Sequence, residues 1–316
     1  MSTLTDELAL LLTGAAVAPA IAASRLIGRG DERAADQAGV EAMRAALNAL
    51  PMKGRVVIGE GERDEAPMLH VGEEVGTGKG PALDIALDPL EGTTLTAKAK
   101  PGALCVLAFA PRGGLLHAPD IYMDKLAVGP GFSADVVDLD APADENVRAL
   151  AKAKGVAAEE IGVCVLDRPR HGAIIEALRT VGARVHLIGD GDIAGVINCA
   201  KPETGIDMYI GQGGAPEGVL AAAALKCVGG QFQGRLVARN DEERARAAQA
   251  GVDDLKRRYA LGDLVSGDVV FLAAGVTGGS IVEGVRWRAG AAHVHALVMN
   301  SATQSVCDLR IRTANP

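Results

Sequence analysis

The chain has 316 residues, which is enough for one large domain or for two moderate ones with their own hydrophobic cores. Its net charge of −8 opposes non-specific binding to nucleic acid, because such binding depends on Lys and Arg facing phosphates. The five cysteines are widely spaced and form no C-x-x-C pair, which argues against a disulfide framework or a zinc site. We therefore expect no nucleic-acid partner and a cytoplasmic location.

The first predicted element is an apolar stretch at residues 8–24 that carries no charged side chain. It falls short of the roughly 18 residues at which a membrane span becomes a candidate, and Pro19 interrupts it. A signal peptide carries positive charge before its apolar region, whereas Asp6 and Glu7 precede this one. We predict a buried or oligomer-forming helix, no membrane partner, and a homo-oligomer that is either a dimer or a tetramer.

Strand-like and helix-like patterns alternate along the remaining chain, which is typical of a layered α/β fold. A polar helix at 141–155 marks a candidate boundary, from which we predict two α/β domains covering residues 1–145 and 146–316. The other predicted helices are at 33–50, at 67–76 (a short one), within 168–182, at 219–230 and at 241–259, where the pattern fits an exposed helix or helix pair. The predicted strands are at 55–61, 83–88, 103–110, 161–167, 183–192, 206–214, 271–279 and 293–300.

Two glycine-rich stretches fail the standard nucleotide-binding patterns. The dinucleotide pattern G-x-G-x-x-G would need glycine where the stretch at 211–218 has Pro216. A Walker loop at 72–81 would need glycine at 73 and Ser or Thr at 80, where the chain has Glu73 and Gly80. Kinase and dehydrogenase interpretations therefore lose their main support.

Acidic side chains follow two of the predicted buried strands. GEGERDE (59–65) follows RVVI, and DPLEGTT (88–94) follows LDIAL. The alternatives are a solvated loop for the first run, and a turn with a helix-capping Thr for the second. In layered α/β folds, however, ligands bind at the carboxyl ends of strands, and crowded carboxylates are stabilised by shared cations. The two acidic strand ends therefore predict an oxygen-ligand site for Mg²⁺ or Mn²⁺.

Thr93 and Thr94 would begin the element that follows the second acidic run. If that element is a helix, its free N–H groups and its dipole form an anion site beside the metal ions. Cations next to such an anion site suit a phosphate ester.

At this point the residues match a known family. DPLEGTT resembles the D-P-[ILV]-[DE]-G-[ST] signature of the lithium-sensitive, metal-dependent sugar and inositol phosphatase superfamily. More specifically, the chain resembles the class II fructose-1,6-bisphosphatases from about Ser24 to its last strands. The matching blocks are GRGDERAADQA (28–38), VVIGEGERDEAPML (56–69), DIALDPLEGTTLTA (84–97), APDIYMDKLAVGPG (118–131), RPRH (168–171), GDGD (189–192), GGAPEG (213–218) and GRL (234–236). Their occurrence in this order makes the resemblance specific.

The resemblance implies a layered α/β/α/β/α sugar-phosphatase fold of the inositol monophosphatase-like type. It also implies two or three Mn²⁺ or Mg²⁺ ions held by acidic side chains. For Asp36 and Glu217 the residues alone favour an ordinary acid in the first turn of a helix, and it is the resemblance that favours metal binding. The implied metal ligands are Asp36, Glu60, Asp88, Glu91 and Glu217.

The resemblance places Thr93 where its hydroxyl orients the attacking water and helps to deprotonate it, with Glu62 or Asp64 as the acidic partner. Arginines would grip a second phosphate through bidentate hydrogen bonds, and aspartates would accept from sugar hydroxyls. GDGD on its own is typical of a tight turn. The implied substrate contacts are Glu91, Gly92, Thr93, Tyr122, Arg168, Pro169, Arg170, Asp190, Gly191, Asp192 and Gly214.

The chain departs from the family pattern at three positions. Glu32 follows GRGD where lysine is frequent, Arg168 opens RPRH where lysine is common, and Gly172 follows RPRH where aspartate is frequent. These departures bear on the contacts to the second phosphate and the sugar more than on the metal site. His293 and His295 alternate along a predicted strand, and we expect them to be structural or exposed and not to be ligands.

The reaction that the resemblance implies is metal-dependent hydrolysis of the C1 phosphate of fructose 1,6-bisphosphate, a step of gluconeogenesis. Sedoheptulose 1,7-bisphosphate is an alternative or additional substrate, because both sugars present the same C1 phosphate end. A catalytically silent sugar-phosphate-binding protein is the alternative from another class. Inositol monophosphate hydrolysis is a further alternative that RPRH, GDGD and GGAPEG disfavour.

Overall fold

The computed structural model describes residues 4–60 and 68–314 of the chain. The chain divides into two compact units, unit 1 formed by Met1–His117 together with Val265–Pro316, and unit 2 formed by Ala118–Leu264. The division expected from the sequence, after residue 145, differs from this one. It differs because late strands return to pair within the first sheet, so that the C-terminal segment belongs to unit 1.

Unit 1 contains a mixed sheet with helices packed on one face. Its elements, labelled in chain order, are α1 (Asp6–Leu12), α2 (Gly14–Ser24), α3 (Glu32–Ala49), β1 (Lys53–Ile58), β2 (Glu74–Val75), β3 (Ala82–Glu91), α4 (Thr93–Ala97), β4 (Leu104–Pro111), β11 (Val270–Gly275), β12 (Arg286–Arg288), β13 (Ala291–Asn300) and β14 (Ser305–Ala314). The strand order is β12, β13, β11, β4, β3, β1, β2, and β14 also pairs with β13. Strands β1 and β3 are parallel, and the other neighbouring pairs are antiparallel.

Alternate side chains of the central strands form the core of unit 1. Leu107 of β4 and Leu272 of β11 are fully buried in the same cluster as Met43 of α3. The buried part of α2 consists largely of alanines such as Ala16 and Ala20, and such small side chains allow the helix to lie close to the sheet. The low aromatic content of the chain is therefore matched by a tightly packed aliphatic core.

The N-terminal segment Asp6–Ser24 is long and apolar enough to cross a membrane, with a mean hydropathy of 1.6. In the structure 61% of it is buried, and it packs in the core of unit 1 as a core helix does. It bends into α1 and α2 at Thr13, whose hydroxyl donates to the carbonyl of Ala9. The predicted burial of this segment is confirmed.

Unit 2 contains a second mixed sheet with helices on both faces. Its elements are β5 (Tyr122–Val128), α5 (Ala143–Lys154), β6 (Gly162–Leu166), α6 (Gly172–Thr180), β7 (Arg184–Ile188), α7 (Asp192–Ile197), β8 (Met208–Gly214), α8 (Ala215–Val228), β9 (Gln231–Val237), α9 (Asp241–Gln249), β10 (Arg258–Ala260) and α10 (Leu261–Leu264). The strand order is β10, β9, β5, β8, β6, β7. Val163 and Val165 of β6 pack with α5 and α6, whereas Cys164 between them lies against Gly195 of α7.

The predicted α/β fold is confirmed, but one predicted helix is wrong. Within the described part of 67–76, residues 68–76 form a turn, a bridge between Glu60 and His70, and β2. Gly72 and Gly76 adopt positive φ angles of 90° and 99°, which a right-handed helix excludes.

The helical pattern at 241–259 also ends earlier than its sequence predicts. Helix α9 stops at Gln249, and Gly251 follows with φ of 78°, the left-handed conformation that terminates helices. The chain then forms β10 on the edge of the second sheet. Further elements were not predicted from the sequence, namely strands β5, β9, β12 and β14 and helices α7 and α10.

Leu107→Ala should destabilise unit 1 by about 2–5 kcal/mol, because the side chain is fully buried and a cavity would remain. Leu187→Ala is the matched control, since Leu187 is 40% exposed and its loss should change stability by less than about 0.5 kcal/mol. Urea unfolding followed by circular dichroism measures both values. Equal effects of the two substitutions would contradict this packing.

Candidate functional site

The site in unit 1 begins with an irregularity in β3. Asp88 pairs with Val106 of β4 and Glu91 pairs with Leu104, so three steps along β3 correspond to two along β4. This is a β-bulge, and it places Asp88 and Glu91 on the same face, because Val106 and Leu104 share a face. In a regular strand, residues three apart would point to opposite faces. Carboxylate oxygens of the two acids lie within 4.8 Å of one another.

The bulge is built by the residues between and after the two acids. Pro89 has no N–H to offer to the ladder, which suits a bulge position, and the N–H of Leu90 donates to Asp88 Oδ1 at 2.9 Å. Gly92 then turns the chain with φ of 87° and caps α4. Thr93 is therefore the first residue of the helix, and the capping role considered for it is wrong. Because α4 has five residues, it offers a weaker anion cradle than a full helix would.

Glu60 lies at the carboxyl end of β1, beside the end of β3. The two strands are parallel, and Ile58 is in register with Ala86. Glu60 and Asp88 each follow that pair by two residues. Glu60 and Asp88 therefore lie at one edge of the sheet, as predicted from their positions after buried strands.

A strained turn holds the backbone of Glu60. Its N–H donates to the carbonyl of Leu69 at 2.9 Å, and Leu69 has φ of 56°, which is costly for a residue with a Cβ. The buried carboxylate of Glu73 accepts from the N–H of Leu69 and, at 2.6 Å, from Nε of Arg44. The pair of Arg44 and Glu73 thus fixes the turn on which Glu60 depends.

Asp36 lies on α3, one turn before a close contact with the bulge. A Cβ on Gly39 would lie 3.1 Å from the carbonyl oxygen of Pro89, which is tighter than an ordinary van der Waals contact, so glycine favours this close approach. Residues three apart share a helix face, so Asp36 is on the side of α3 that faces the end of β3. Glu62 and Asp64 lie outside the described residues.

The donors in unit 1 fit a hard divalent cation. They are carboxylate oxygens, and like charges as close as those of Asp88 and Glu91 repel one another unless a cation or a proton lies between them. Burial and the charge of Asp88 raise the pKa of the Cys105 thiol well above its usual range, so this neighbouring cysteine remains a protonated core residue. Oxygen-only coordination suits Mg²⁺ or Mn²⁺.

The expected substrate residues of unit 2 collect at one edge of its sheet. Strands β6, β7 and β8 are parallel and end there, and Tyr122 at the start of antiparallel β5 is paired with Gly214 at the end of β8. Arg168, Pro169 and Arg170 follow β6, and the block Asp190, Gly191 and Asp192 follows β7. Carboxyl ends of parallel strands are the usual ligand-binding edge.

The ring of Tyr122 lies between two guanidinium groups. The Cζ atom of Arg170 is 4.9 Å and that of Arg239 is 3.8 Å from the ring centroid. Arg170 also donates to the carbonyl of Gln212 through Nη2 at 2.7 Å. Sequence analysis missed Arg239, although Asn240 and Glu243 after it carry the spacing of a helix cap, and the N–H of Glu243 does donate to Asn240 Oδ1 at 2.8 Å.

The two aspartates of GDGD have different environments. Asp190 is partly exposed and lies 3.9 Å from Nη2 of Arg168. Asp192 is buried, and Lys125 Nζ, itself 1% exposed, donates to its Oδ2 at 2.6 Å. Gly191 between them has a left-handed backbone. Lys125 was also missed, because a single lysine in the strand YMDKLAV carries no sequence signal that it is buried.

Glu217 and Gly214 lie together at the start of α8 in unit 2. A Cβ on Gly214 would clash with the Glu217 carboxylate at 1.9 Å, so the acid folds back over the backbone of the turn. In the neighbouring RPRH block, burial lowers the pKa of His171, whose Nδ1 is 2.7 Å from the carbonyl of Leu166 and whose Nε2 accepts from the N–H of Gln212. His171 is therefore a neutral structural residue.

Comparison with known proteins identifies the family. The family model described as bacterial fructose-1,6-bisphosphatase, glpX-encoded, matches residues 6–312. A D-fructose 1,6-bisphosphatase class 2/sedoheptulose 1,7-bisphosphatase of Synechococcus elongatus is 43% identical over 311 residues, covering 90% of this chain and 90% of that protein. A protein of the same name from Synechococcus sp. strain JA-3-3Ab is 44% identical over 312 residues, covering 91% and 90%. The chain therefore belongs to the family of glpX-encoded bacterial fructose-1,6-bisphosphatases and is an enzyme of the phosphatase class.

Proposed function

We propose that this chain hydrolyses the C1 phosphate of fructose 1,6-bisphosphate, giving fructose 6-phosphate and phosphate, as a step of gluconeogenesis. The observation that carries the proposal is the bulge in β3, which brings Asp88 and Glu91 of the family signature together. Sedoheptulose 1,7-bisphosphate is the second candidate substrate, favoured by the double name of the relatives. A silent binding protein would bind the same sugars and release no phosphate.

Five acids would hold the metal ions in this proposal, and two or three Mg²⁺ or Mn²⁺ ions would fit them. Asp36, Glu60, Asp88 and Glu91 come from unit 1, and Glu217 is added on the family resemblance. When bound, such ions neutralise phosphate charge and lower the pKa of a water molecule.

Thr93 orients the attacking water through its Oγ1 atom in this proposal. The hydroxyl accepts a hydrogen bond from the water, takes up its proton as attack proceeds, and passes its own proton to an acid, either Glu62 or Asp64. Its place directly after Gly92 supports this role, since the left-handed glycine starts the helix at that residue. Glu91 and Gly92 would contact the substrate beside it.

The second phosphate would bind near Tyr122. Arg168 and Arg170 would grip it through planar, bidentate hydrogen bonds, and Arg239 is added to this set because it stacks on the same tyrosine. Asp190 and Asp192 would accept hydrogen bonds from sugar hydroxyls. Lys125 donates to Asp192 and fixes the position of its carboxylate, and Pro169, Gly191 and Gly214 would shape the backbone around the substrate.

We also propose a homo-oligomer in the cytoplasm. Leu10 and Leu11 of α1 are 46% and 50% exposed, which leaves apolar surface on the outside of unit 1 for a second copy. All five cysteines are free, which suits a reducing compartment.

Metal-loaded protein should release inorganic phosphate from fructose 1,6-bisphosphate, and Asp88→Asn should abolish that release because a metal ligand loses its charge. The measurement is a colorimetric phosphate assay with Mn²⁺, Mg²⁺ or chelator, run on both bisphosphates to compare kcat/KM. Asp253→Asn, at an exposed acid, is the matched control and should keep full activity. Tight sugar binding without any phosphate release would favour the silent alternative.

Thr93→Val should lower kcat by about 10²-fold or more with little change in KM, because it removes the hydroxyl and keeps the shape. Thr93→Ser retains the hydroxyl and should retain most of the activity. Steady-state kinetics with saturating metal measure both parameters. A fully active Thr93→Val enzyme would show that Thr93 does not handle the proton.

Glu243 should stabilise unit 2 in a pH-dependent way. Hydrogen bonds from Arg239 lower the pKa of the buried Glu243 carboxyl from 4.5 to about 2. Its contribution is therefore complete above pH 4.5 and is lost as the pH falls towards 2. The stability difference between wild type and Glu243→Gln should shrink from about 1–3 kcal/mol at pH 7 towards zero in acid.

Urea unfolding at several pH values measures this difference. Glu242→Gln, at the exposed neighbouring position, should show a small difference at every pH. A constant difference for Glu243→Gln would contradict the assignment of the pH dependence to this pair.

A further inference from the structure

A concave, strongly basic surface lies on unit 1, on the face of its sheet opposite α1, α2 and α3. It is a cavity of about 170 Å³ over three neighbouring strands. We call it the arginine patch, and its six basic residues are Arg286 and Arg288 of β12, His293 and His295 of β13, and Arg310 and Arg312 of β14. Such a concentration is notable in a chain whose net charge is −8.

The register of the strands fixes these side chains on one face. Arg286 is paired directly with His293, and His293 is paired directly with Arg312, so the three form a row across the strands. Arg310 is paired with His295 in the next row. Directly opposed side chains have Cβ atoms about 5 Å apart, so Arg286 and Arg312 flank His293 on one face of the sheet.

Two acids form ion pairs with some of the basic residues of the arginine patch and leave others without an acid partner. Glu283 is 3.1 Å from Nη2 of Arg286 and 2.8 Å from Nη1 of Arg310. His295 is almost fully buried, accepts from the N–H of Glu283 at Nδ1, and lies 2.6 Å from Asp308 through Nε2. These contacts hold the loop before β12 and one wall of the cavity in place.

Arg288 and Arg312 have no ion pair with any acid among residues 4–60 and 68–314. The strand that carries Arg288 is anchored from behind, because Trp287 Nε1 donates to Ser24 Oγ at 3.2 Å and the guanidinium of Arg25 lies 4.3 Å from its ring. Two guanidinium groups are therefore presented from a fixed backbone towards the cavity that His293 also lines.

We propose that the arginine patch binds a small phosphate-bearing anion. Guanidinium groups form planar, bidentate hydrogen bonds with phosphate oxygens, and the guanidinium groups of Arg288 and Arg312 line the cavity without an acid partner in the described part of the chain. The cavity is of the size of a small anion and is too small for a folded partner. This inference does not rest on the proposed catalytic function.

The patch is separate from the acids at the end of β3. Asp88 of β3 is in one register row with Val106 of β4, Ala273 of β11 and Leu297 of β13. Strand β13 is therefore three strands away from β3, and His293 lies four residues from Leu297 along β13. With strand spacings of about 4.8 Å and rises of about 3.3 Å per residue, the backbone separation is about 19 Å.

The test is a binding titration on the full-length chain in an Asp88→Asn/Arg168→Gln/Arg170→Gln background without added metal, so that neither the acidic strand end of unit 1 nor the arginines after β6 contribute. Inorganic phosphate and pyrophosphate are the probes, in separate arms, at constant ionic strength and measured by isothermal calorimetry. Arg288→Gln/Arg312→Gln should weaken binding by about tenfold or more. Arg148→Gln/Arg244→Gln removes two exposed arginines that pair with acids on their own helices, and it should change Kd less than twofold.

The two probes separate the possible occupants. Tighter pyrophosphate binding would assign the patch to a ligand with linked phosphates, and equal binding would assign it to single phosphate groups. Equal Kd values for the two double variants, or binding that does not saturate, would overturn the proposal. A change of sedimentation coefficient in Arg288→Gln/Arg312→Gln without a change in anion binding would also overturn it, because the patch would then be a subunit contact.

Discussion

The chemistry of unit 1 depends on one extra residue in β3. Without the bulge at Pro89, Asp88 and Glu91 would face opposite sides of the sheet and could not share a ligand. Five of the seven residues of DPLEGTT then have a physical reason for their position. Pro89 tolerates the interrupted ladder, Gly92 supplies a left-handed turn, and Thr93 begins the helix that follows. The bulge concentrates negative charge at a buried strand end, which is unfavourable for folding unless a cation compensates for it.

Both units place their charged candidate residues at the carboxyl ends of parallel strands. In unit 1 the carboxyl ends of parallel β1 and β3 carry acids, and in unit 2 the carboxyl ends of parallel β6 and β7 carry arginines and aspartates. Each edge is supported by an ion pair in which at least one partner is buried. Glu73 with Arg44 fixes the turn that holds Glu60, and Lys125 fixes Asp192. The residues that contact a ligand in the proposal are therefore held in position by partner side chains that have only a positioning role.

The sequence predicts those features that depend on local order and fails for those that depend on distant partners. Acids after buried strands were recognisable, because burial and strand direction place them at one edge. The buried Lys125 and the stacking of Arg239 on Tyr122 were not, since each depends on strands far apart in the chain. The helix predicted at 67–76 failed because Gly72 and Gly76 take left-handed conformations there. The compact units differ from the expected division because β11 and β13 return to pair beside β4.

The spacing between the arginine patch and the acidic strand end limits how the two can communicate. At about 19 Å of backbone separation, and with a Debye length of about 8 Å at physiological salt, an exposed anion on the patch hardly changes the potential at Asp88. The strands between them, β11 and β4, are fully buried or nearly so along their length. Such tightly packed strands transmit the movement of one strand to the next more effectively than they transmit the electrostatic effect of a bound charge. An anion on the patch would therefore act on the acids only through the position of β13 and its neighbours, so any influence on catalysis requires a shift in strand packing and cannot be purely electrostatic.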